Sequence, residues 1–273
     1  MIDKQHIKLT YITHFHCNQE NINSVNRLLE QYEKYSSSVL DHLEFIIVDD
    51  GSPVSYKISD FNLNLTWLKI NEDIPWNQSG ARNLGVTYAK SDKIIITDLD
   101  HTFPEKTLKY LINRRNPGRS FYKLYRKSQL TPGVMKGHSN IFFMSRARYF
   151  RHHGYDEEFA GHYGYEEVRF VKYQKYHGSK LKYLPKKIIC IERKIDRDNS
   201  YHTLVRDLSY NAKIDKRKKE EVCLYGAEYG HSRLYLNFSW DVSKHIHRPK
   251  PLYRCTRRCW KHLWWFRYLF GSR

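Results

Sequence analysis

Short apolar runs alternate with amphipathic segments through the first half of the chain. The apolar runs predict strands at residues 7–15, 44–48, 65–70 and 94–97. Residues 21–35 and 79–89 carry apolar side chains with helical spacing, and Ser79 stands where a helix N-cap is expected. Because strands alternating with helices build parallel sheets, the pattern predicts an α/β domain with a mostly parallel sheet flanked by helices.

The pattern is less regular beyond about residue 120. It predicts a strand at residues 141–144, helices at 146–152 and 166–176, and a Gly- and Tyr-rich loop between those helices. The charge run at 213–221 is typical of a solvated helix or loop. We divide the chain into a domain over residues 1–240 and a basic, aromatic extension over 241–273.

Composition adds a folded core and a strong positive charge to this picture. Hydrophobic residues make up 40% of the 273 positions, which excludes global disorder. Lys and Arg number 47 against 29 Asp and Glu, a net charge of +18 that implies an anionic partner. Nucleic acid, a membrane surface and a phosphorylated substrate all meet that requirement. Five scattered cysteines, no export signal and no apolar run of about 20 residues predict a cytoplasmic protein, soluble or peripheral on the inner face of a membrane.

Two carboxylates directly follow the predicted strand at 94–97. Asp98 and Asp100 would therefore lie at the carboxyl edge of the sheet, where open α/β folds bind ligands. Two such oxygen donors suit a hard divalent cation, although the same tripeptide is common at solvated strand ends. Strand alternation predicts that the next residue, His101, points away from Asp100.

Four further segments accompany Asp98 and Asp100 in a fixed order, at residues 13–18, 49–52, 80–83 and 154–167. Together, these motifs resemble those of the family 2 glycosyltransferases with the GT-A fold, and the resemblance covers about residues 7–205. It implies a Rossmann-like sheet and metal-dependent, inverting transfer of a sugar to a hydroxyl acceptor. The donor would be a nucleoside diphosphate sugar, UDP-linked in the first instance. The acceptor would be a glycan or lipid-linked glycan in cell-surface polysaccharide synthesis.

The same resemblance implies a donor site. Thr13 and Asp50 would bind the nucleobase, Arg82 would neutralise the diphosphate, and Asp98 would lie near the ribose and the metal. Each position also has a simpler interpretation, because Asp-Gly-Ser is ordinary turn chemistry and a surface Arg commonly pairs with a carboxylate.

Metal and acceptor positions follow from the resemblance in the same way. Asp100 and His202 would ligate Mn²⁺ or Mg²⁺, with His202 preferred over His101. Glu167 would be the general base, in a position where the family usually has Asp. The residues expected to bind the acceptor are Glu166, Tyr165 and Asp156. A Glu pair at a helix start would also simply compensate the helix dipole.

The C-terminal segment predicts an amphipathic helix with a cationic face. Its apolar stripe consists of Leu252, Cys255, Cys259, Leu263, Phe266 and Phe270. Such a helix would bind an anionic membrane surface or pack onto the domain, and nucleic-acid binding is not expected. Two rival functions remain: a sugar-nucleotide nucleotidyltransferase and a non-catalytic membrane or polyanion adaptor. The first is disfavoured because no glycine follows the first strand at 13–18.

Overall fold

A computed structural model describes residues 6–17, 21–128, 133–137, 140–195 and 205–249. The strands of these residues are β1 Leu9–Phe15, β2 Leu43–Asp49, β3 Asn64–Ile70, β4 Lys93–Ile96, β5 His101–Thr102, β6 Ser120–Lys123, β7 Tyr125–Ser128, β8 Phe142–Ser145, β9 Lys180–Tyr183, β10 Ile189–Glu192 and β11 Trp240–Ile246. The helices are α1 Asn23–Glu33, α2 Ser37–Leu40, α3 Gln78–Tyr88, α4 Glu105–Asn113, α5 Arg146–Arg151, α6 Glu166–Tyr176 and α7 Ser209–Tyr225. Short 3₁₀ turns occur at Glu157–Phe159 and Ala227–Gly230.

Eight strands form one sheet in the order β11-β3-β2-β1-β4-β8-β6-β9. Its centre, β3-β2-β1-β4, is parallel, whereas β8 and β11 run antiparallel to their neighbours β4 and β3. The expected α/β fold with a mostly parallel central sheet is therefore confirmed. Strand order reverses between β1 and β4, and such a switch point creates a crevice at the carboxyl edge.

The central strands are buried on both faces of the sheet, so apolar residues occur on both faces of each strand. Alternate residues of β1 serve different cores: Tyr11 packs among Tyr32 and Phe45 on the α1 side, while Ile12 packs with Leu84 on the α3 side. Burial of each such large side chain stabilises the fold by about 1.5–3 kcal/mol. The sheet therefore gives the residues at its edge a rigid support.

A second, smaller sheet supports the turn that carries Asp100. It has the order β5-β10-β7, and β5 follows Asp100 directly. The backbone N–H of Arg193, just beyond β10, donates to the carbonyl of Asp100 at 2.8 Å. The turn that contains Asp100 is therefore attached both to β5, which follows it, and to the chain just beyond β10.

Two predicted details are wrong. Helix α3 begins at Gln78 after Asn77, so Ser79 lies inside the helix and does not cap it.

The charged run at 213–221 is helical but not simply solvated, because Asp215 and Lys218 are buried. Tertiary ion pairs, which periodicity does not report, explain this burial: Arg169 contacts Asp215 at 2.5 Å.

The sheet continues beyond the domain boundary that we predicted at residue 240. Strand β11 starts at that position and pairs antiparallel with β3, so residues 241–246 belong to the sheet edge. The amphipathic helix predicted from Leu252 lies outside the described residues. Among those that are described, no helix is both long and apolar enough to span a bilayer.

Candidate active site

The strand register brings the predicted donor residues to one edge of the sheet. The N–H of Asp50 donates to the carbonyl of Phe15 at 2.8 Å, and the N–H of Thr97 donates to the carbonyl of Ile12 at 3.0 Å. Asp50 and Asp98 therefore follow β2 and β4 on either side of β1, the strand that contains the buried Thr13. The strand register places these three residues on adjacent strands toward the same edge, and their donor-binding roles stay a prediction.

Arg82 lies at the centre of the site and is fully buried. Its Nη2 donates to Asp98 Oδ1 at 2.7 Å, and its Nη1 lies 3.5 Å from Glu167 Oε1. The guanidinium also lies 5.0 Å from the ring centre of Tyr155. Burial alone would lower the pKa of Arg82, but Tyr155 and the two carboxylates outweigh it and raise the pKa. Arg82 is thus a fixed cation that joins β4 to α6.

The position of Arg82 in its helix differs from the one that we expected. Helix α3 starts at Gln78, so Arg82 lies in its second turn and not at its N-terminus. Its charge is already compensated by two carboxylates, and Gln78 accepts a further hydrogen bond at 3.1 Å. Arg82 thus contacts both Asp98 and Glu167, and its role toward a donor diphosphate stays a prediction.

Asp98 has a second partner that the sequence did not indicate. Asn140 Nδ2 donates to its Oδ2 at 2.8 Å, so both carboxylate oxygens of Asp98 accept hydrogen bonds from protein groups. Asn140 lies two residues before β8, the strand that pairs with β4. Only that long-range pairing places it beside Asp98.

Asp100 and His101 are in direct contact, contrary to the prediction. His101 Nδ1 lies 2.6 Å from Asp100 Oδ1. Strand β4 ends at Ile96, so both aspartates lie in the turn before β5 and strand alternation does not govern them. Asp100 keeps 11% of its side chain exposed, while His101 is buried.

A metal would find one suitable carboxylate here. Residues 6–17, 21–128, 133–137, 140–195 and 205–249 contain no group of three or more His, Cys, Asp or Glu side chains that could hold a metal ion. His202, the other predicted ligand, lies outside these ranges. A carboxylate held by a neighbouring imidazole is nevertheless the arrangement expected of a ligand supported by its surroundings. Asp100 therefore fits as a contributor to a site that other groups complete.

Glu166 and Glu167 open helix α6, as predicted, but their environments differ. Glu166 is buried, and burial together with the neighbouring Glu167 raises its pKa well above the usual range. Glu167 keeps 14% of its side chain exposed and approaches Arg82. Burial therefore favours the protonated form of Glu166, the more buried carboxyl of the pair.

Asn83, next to Arg82, fastens the loop ahead of α6 to helix α3. Its Nδ2 donates to the carbonyl of Tyr155 at 2.9 Å and to Glu157 Oε1 at 2.7 Å. Its Oδ1 accepts from the N–H of Tyr155 at 2.9 Å and from the hydroxyl of Tyr149 at 2.5 Å. Both the nitrogen and the oxygen of the Asn83 side chain therefore form hydrogen bonds with this loop.

Asp156, which we expected to bind the acceptor, contacts α7 and the segment that follows α7. Lys218 Nζ lies 2.8 Å from its Oδ2, and the Oγ of Ser232 donates to its Oδ1 at 2.5 Å. Burial raises the pKa of Asp156, but His231, Lys218 and hydrogen bonds outweigh this and lower it. Asp156 therefore joins the loop before α6 to α7, and its acceptor-binding role stays a prediction.

Asn211 of α7 is a site-supporting residue that the sequence did not reveal. Its buried Nδ2 donates to the carbonyls of Phe159, His162 and Gly164 at 3.1, 2.9 and 2.9 Å. These carbonyls belong to the loop that enters α6. The loop leads to Tyr165, whose φ of 72° is left-handed. Asn211 thus fixes the backbone that delivers Tyr165 and Glu167 to the site.

Comparison with known proteins agrees with this architecture. Residues 21–165, more than half of the chain, match Glycosyl transferase family 2. No curated protein matches.

Solved structures show the same fold at low identity. TarS residues 1–349 from S. aureus, in complex with UDP-GlcNAc, share 15% identity over 82% of this chain and 69% of their own, with a TM-score of 0.57. A longer TarS structure is 15% identical over 82% of this chain and 41% of its own, with a TM-score of 0.52.

A further match is the mannosyltransferase PcManGT from Pyrobaculum calidifontis in complex with GDP-Man and Mn²⁺. It shares 17% identity over 81% of this chain, with a TM-score of 0.49, and this chain spans 64% of its length.

The family match over residues 21–165 and the fold shared with TarS lead to one conclusion: the chain belongs to glycosyl transferase family 2 and has its GT-A architecture.

Proposed function

We propose that this chain transfers a sugar from a nucleoside diphosphate sugar to an acceptor hydroxyl, with inversion at the anomeric carbon. The observation that carries the proposal is the Arg82 bridge. One buried guanidinium lies within 2.7 Å of Asp98 at the sheet edge and 3.5 Å of Glu167 at the start of α6. A carboxylate of the donor edge and a carboxylate suited to base catalysis therefore border the same small space.

The donor side consists of Thr13, Asp50 and Asp98 at the carboxyl edge. Carboxylates at such an edge can accept hydrogen bonds from a nucleobase and a ribose, which carry N–H and O–H donors. TarS was solved with UDP-GlcNAc. We propose a UDP-sugar as the first candidate donor for this chain.

Asp100 would hold the divalent cation, Mn²⁺ or Mg²⁺, with His101 orienting the carboxylate at 2.6 Å. His202 is proposed as a further ligand. When bound, such a metal acts as a Lewis acid that stabilises negative charge on the departing nucleoside diphosphate. Asp98, which accepts hydrogen bonds from Arg82 and Asn140, is proposed to lie beside the ribose and the metal.

Glu167 would act as the general base. Its Oε1 lies 3.5 Å from Arg82 Nη1, and it is more exposed than Glu166, whose pKa burial raises. The acceptor hydroxyl would give its proton to Glu167 Oε as its oxygen forms a bond to the anomeric carbon. The bond to the diphosphate oxygen breaks on the opposite face, which inverts the configuration. Tyr165 and Glu166 would shape the acceptor side.

The acceptor is proposed to be a glycan or a lipid-linked glycan. The net charge of +18 would favour approach to an anionic membrane surface, and the basic extension would contribute to it. On this proposal the enzyme works at the cytoplasmic face of a membrane.

A panel of nucleotide sugars tests the proposal. UDP-glucose, UDP-galactose, UDP-GlcNAc and GDP-mannose are each added with Mn²⁺ or with EDTA, and thermal stability and nucleotide release are recorded. We expect one donor to raise the melting temperature in a metal-dependent manner and to release its nucleotide slowly. The absence of any shift with every donor would favour the non-catalytic adaptor.

A further inference from the structure

Two aromatic residues from separate loops meet ahead of the two helices that carry Arg82 and Glu167. Trp76 lies in the loop leading into α3, the helix of Arg82, and Tyr163 lies in the loop leading into α6, the helix of Glu167. Their ring centroids are 4.8 Å apart at an interplanar angle of 65°. The N–H of Gly161 donates to the carbonyl of Pro75 at 2.8 Å and ties the two loops together. Both rings are half-buried, so each keeps solvent-accessible surface.

The backbone is strained at Trp76 itself and at Tyr165, two residues beyond Tyr163. Trp76 has a φ of 52° and Tyr165 a φ of 72°, values that bulky side chains rarely adopt. Residues in such conformations persist only where the surrounding structure holds them, and they concentrate at ligand-binding sites. Tyr165 directly precedes α6, and Trp76 lies two residues before the start of α3. The strain therefore coincides with the site and not with an unrelated turn.

The rings are also held in place before any ligand arrives. The Arg206 guanidinium lies 5.6 Å from the ring centre of Tyr163, and the neighbouring His162 stacks on Tyr210 at 3.6 Å. Asn211 fixes the carbonyls on either side of Tyr163, those of His162 and Gly164. A rigid aromatic surface binds a ligand at low cost in conformational entropy.

Sugar rings fit this surface chemically. The face of an aromatic ring is apolar and carries partial negative charge, whereas one face of a pyranose presents C–H groups. Binding sites commonly combine such an apolar wall with a few converging polar groups. The helices that follow the two loops carry such groups, Arg82 and Glu167.

We propose that Trp76 and Tyr163 form a stacking platform for a pyranose ring. This inference rests on the proposed glycosyl transfer and adds the residues that contact a sugar. The ring belongs either to the donor sugar or to the acceptor, and the two sources are separated by experiment.

The test compares Trp76→Ala and Tyr163→Ala with Trp76→Phe, which keeps an aromatic ring. Tyr225→Ala, an exposed aromatic at the end of α7, is the matched control. Titration calorimetry measures the Kd of UDP and of UDP-GlcNAc with Mn²⁺. Saturation-transfer NMR measures binding of methyl glycosides of glucose, galactose, mannose and N-acetylglucosamine in the presence of UDP. Circular dichroism verifies that each variant is folded.

If the platform holds the donor sugar, both alanine variants bind UDP-GlcNAc roughly three- to tenfold more weakly and bind UDP normally. If it holds the acceptor, donor binding is unchanged and the methyl glycoside signals are lost. Trp76→Phe and Tyr225→Ala should stay near wild type in both arms. Unchanged binding in both arms overturns the platform but leaves the proposed transfer intact. Wild-type protein that binds no nucleotide sugar overturns the proposed function and the platform together.

Discussion

Replacement of Asn211 by alanine should both destabilise the protein and impair its site. This single side chain donates from one buried amide nitrogen to three main-chain carbonyls of the loop that precedes α6. Sequence motifs give no reason to expect an effect, because residue 211 lies far along the chain from Glu167. A large effect would therefore support the hydrogen bonds between Asn211 and this loop that the structure shows.

The magnitude follows from the hydrogen bonds that are lost. The amide has two N–H groups, and each net hydrogen bond contributes about 0.5–1.5 kcal/mol, while buried carbonyls left without a donor add to the loss. We expect Asn211→Ala to lower the free energy of unfolding by about 2–3 kcal/mol. Asn211→Asp should cost more, since a carboxylate would face the carbonyls of His162 and Gly164 without a proton to donate.

Urea denaturation followed by circular dichroism measures the stability, and steady-state kinetics measures transfer. The matched control is Asn113→Ala, which removes one exposed hydrogen bond to the carbonyl of Lys109 and should change stability by less than about 0.5 kcal/mol. Transfer should fall in Asn211→Ala at temperatures where the variant remains folded. A stability within about 0.5 kcal/mol of wild type, with normal transfer, would refute the reasoning.

Three further predictions concern the charges of the site and its surroundings. Arg82→Lys keeps the charge but loses the planar fork, so we expect about 1–3 kcal/mol lower stability in urea and at least tenfold slower transfer; unchanged values would show that the bridge is unimportant. Asp100→Asn should abolish the metal-dependent thermal shift with donor and leave the melting temperature without ligands nearly unchanged. Burial lowers the pKa of His231 to about 4, so the folded state disfavours its protonation. Stability should therefore fall as the pH drops from 6.5 to 4, by at most about 3 kcal/mol from this group, and His231→Gln should flatten that profile; an identical pH slope in the variant would contradict it.

The sequence predicted local structure well where local periodicity decides it. Strands β1 to β4 and helices α1, α3 and α6 were recognisable because apolar residues repeat with the spacing of the element, and the GT-A resemblance correctly ordered them. The carboxyl-edge position of Asp50 and Asp98 followed from this order alone.

The missed contacts depend on long-range pairing. Asn140 reaches Asp98 only because β8 pairs with β4, and Lys218 reaches Asp156 only because α7 packs on the loop before α6. No local pattern encodes such contacts. His101 was misplaced for a related reason: the chain leaves strand geometry at Ile96, and alternation fails beyond that point.

We propose that Glu167 removes the acceptor proton, whereas other residues bind the donor. This proposal is tested most directly by Glu167→Gln, measured for both sugar transfer and donor Kd, with Glu220→Gln on the exposed face of α7 as the control. We predict that transfer falls about 100- to 10,000-fold while the donor Kd stays within about twofold of wild type. Transfer within a few fold of wild type would contradict the assignment of Glu167 as the base.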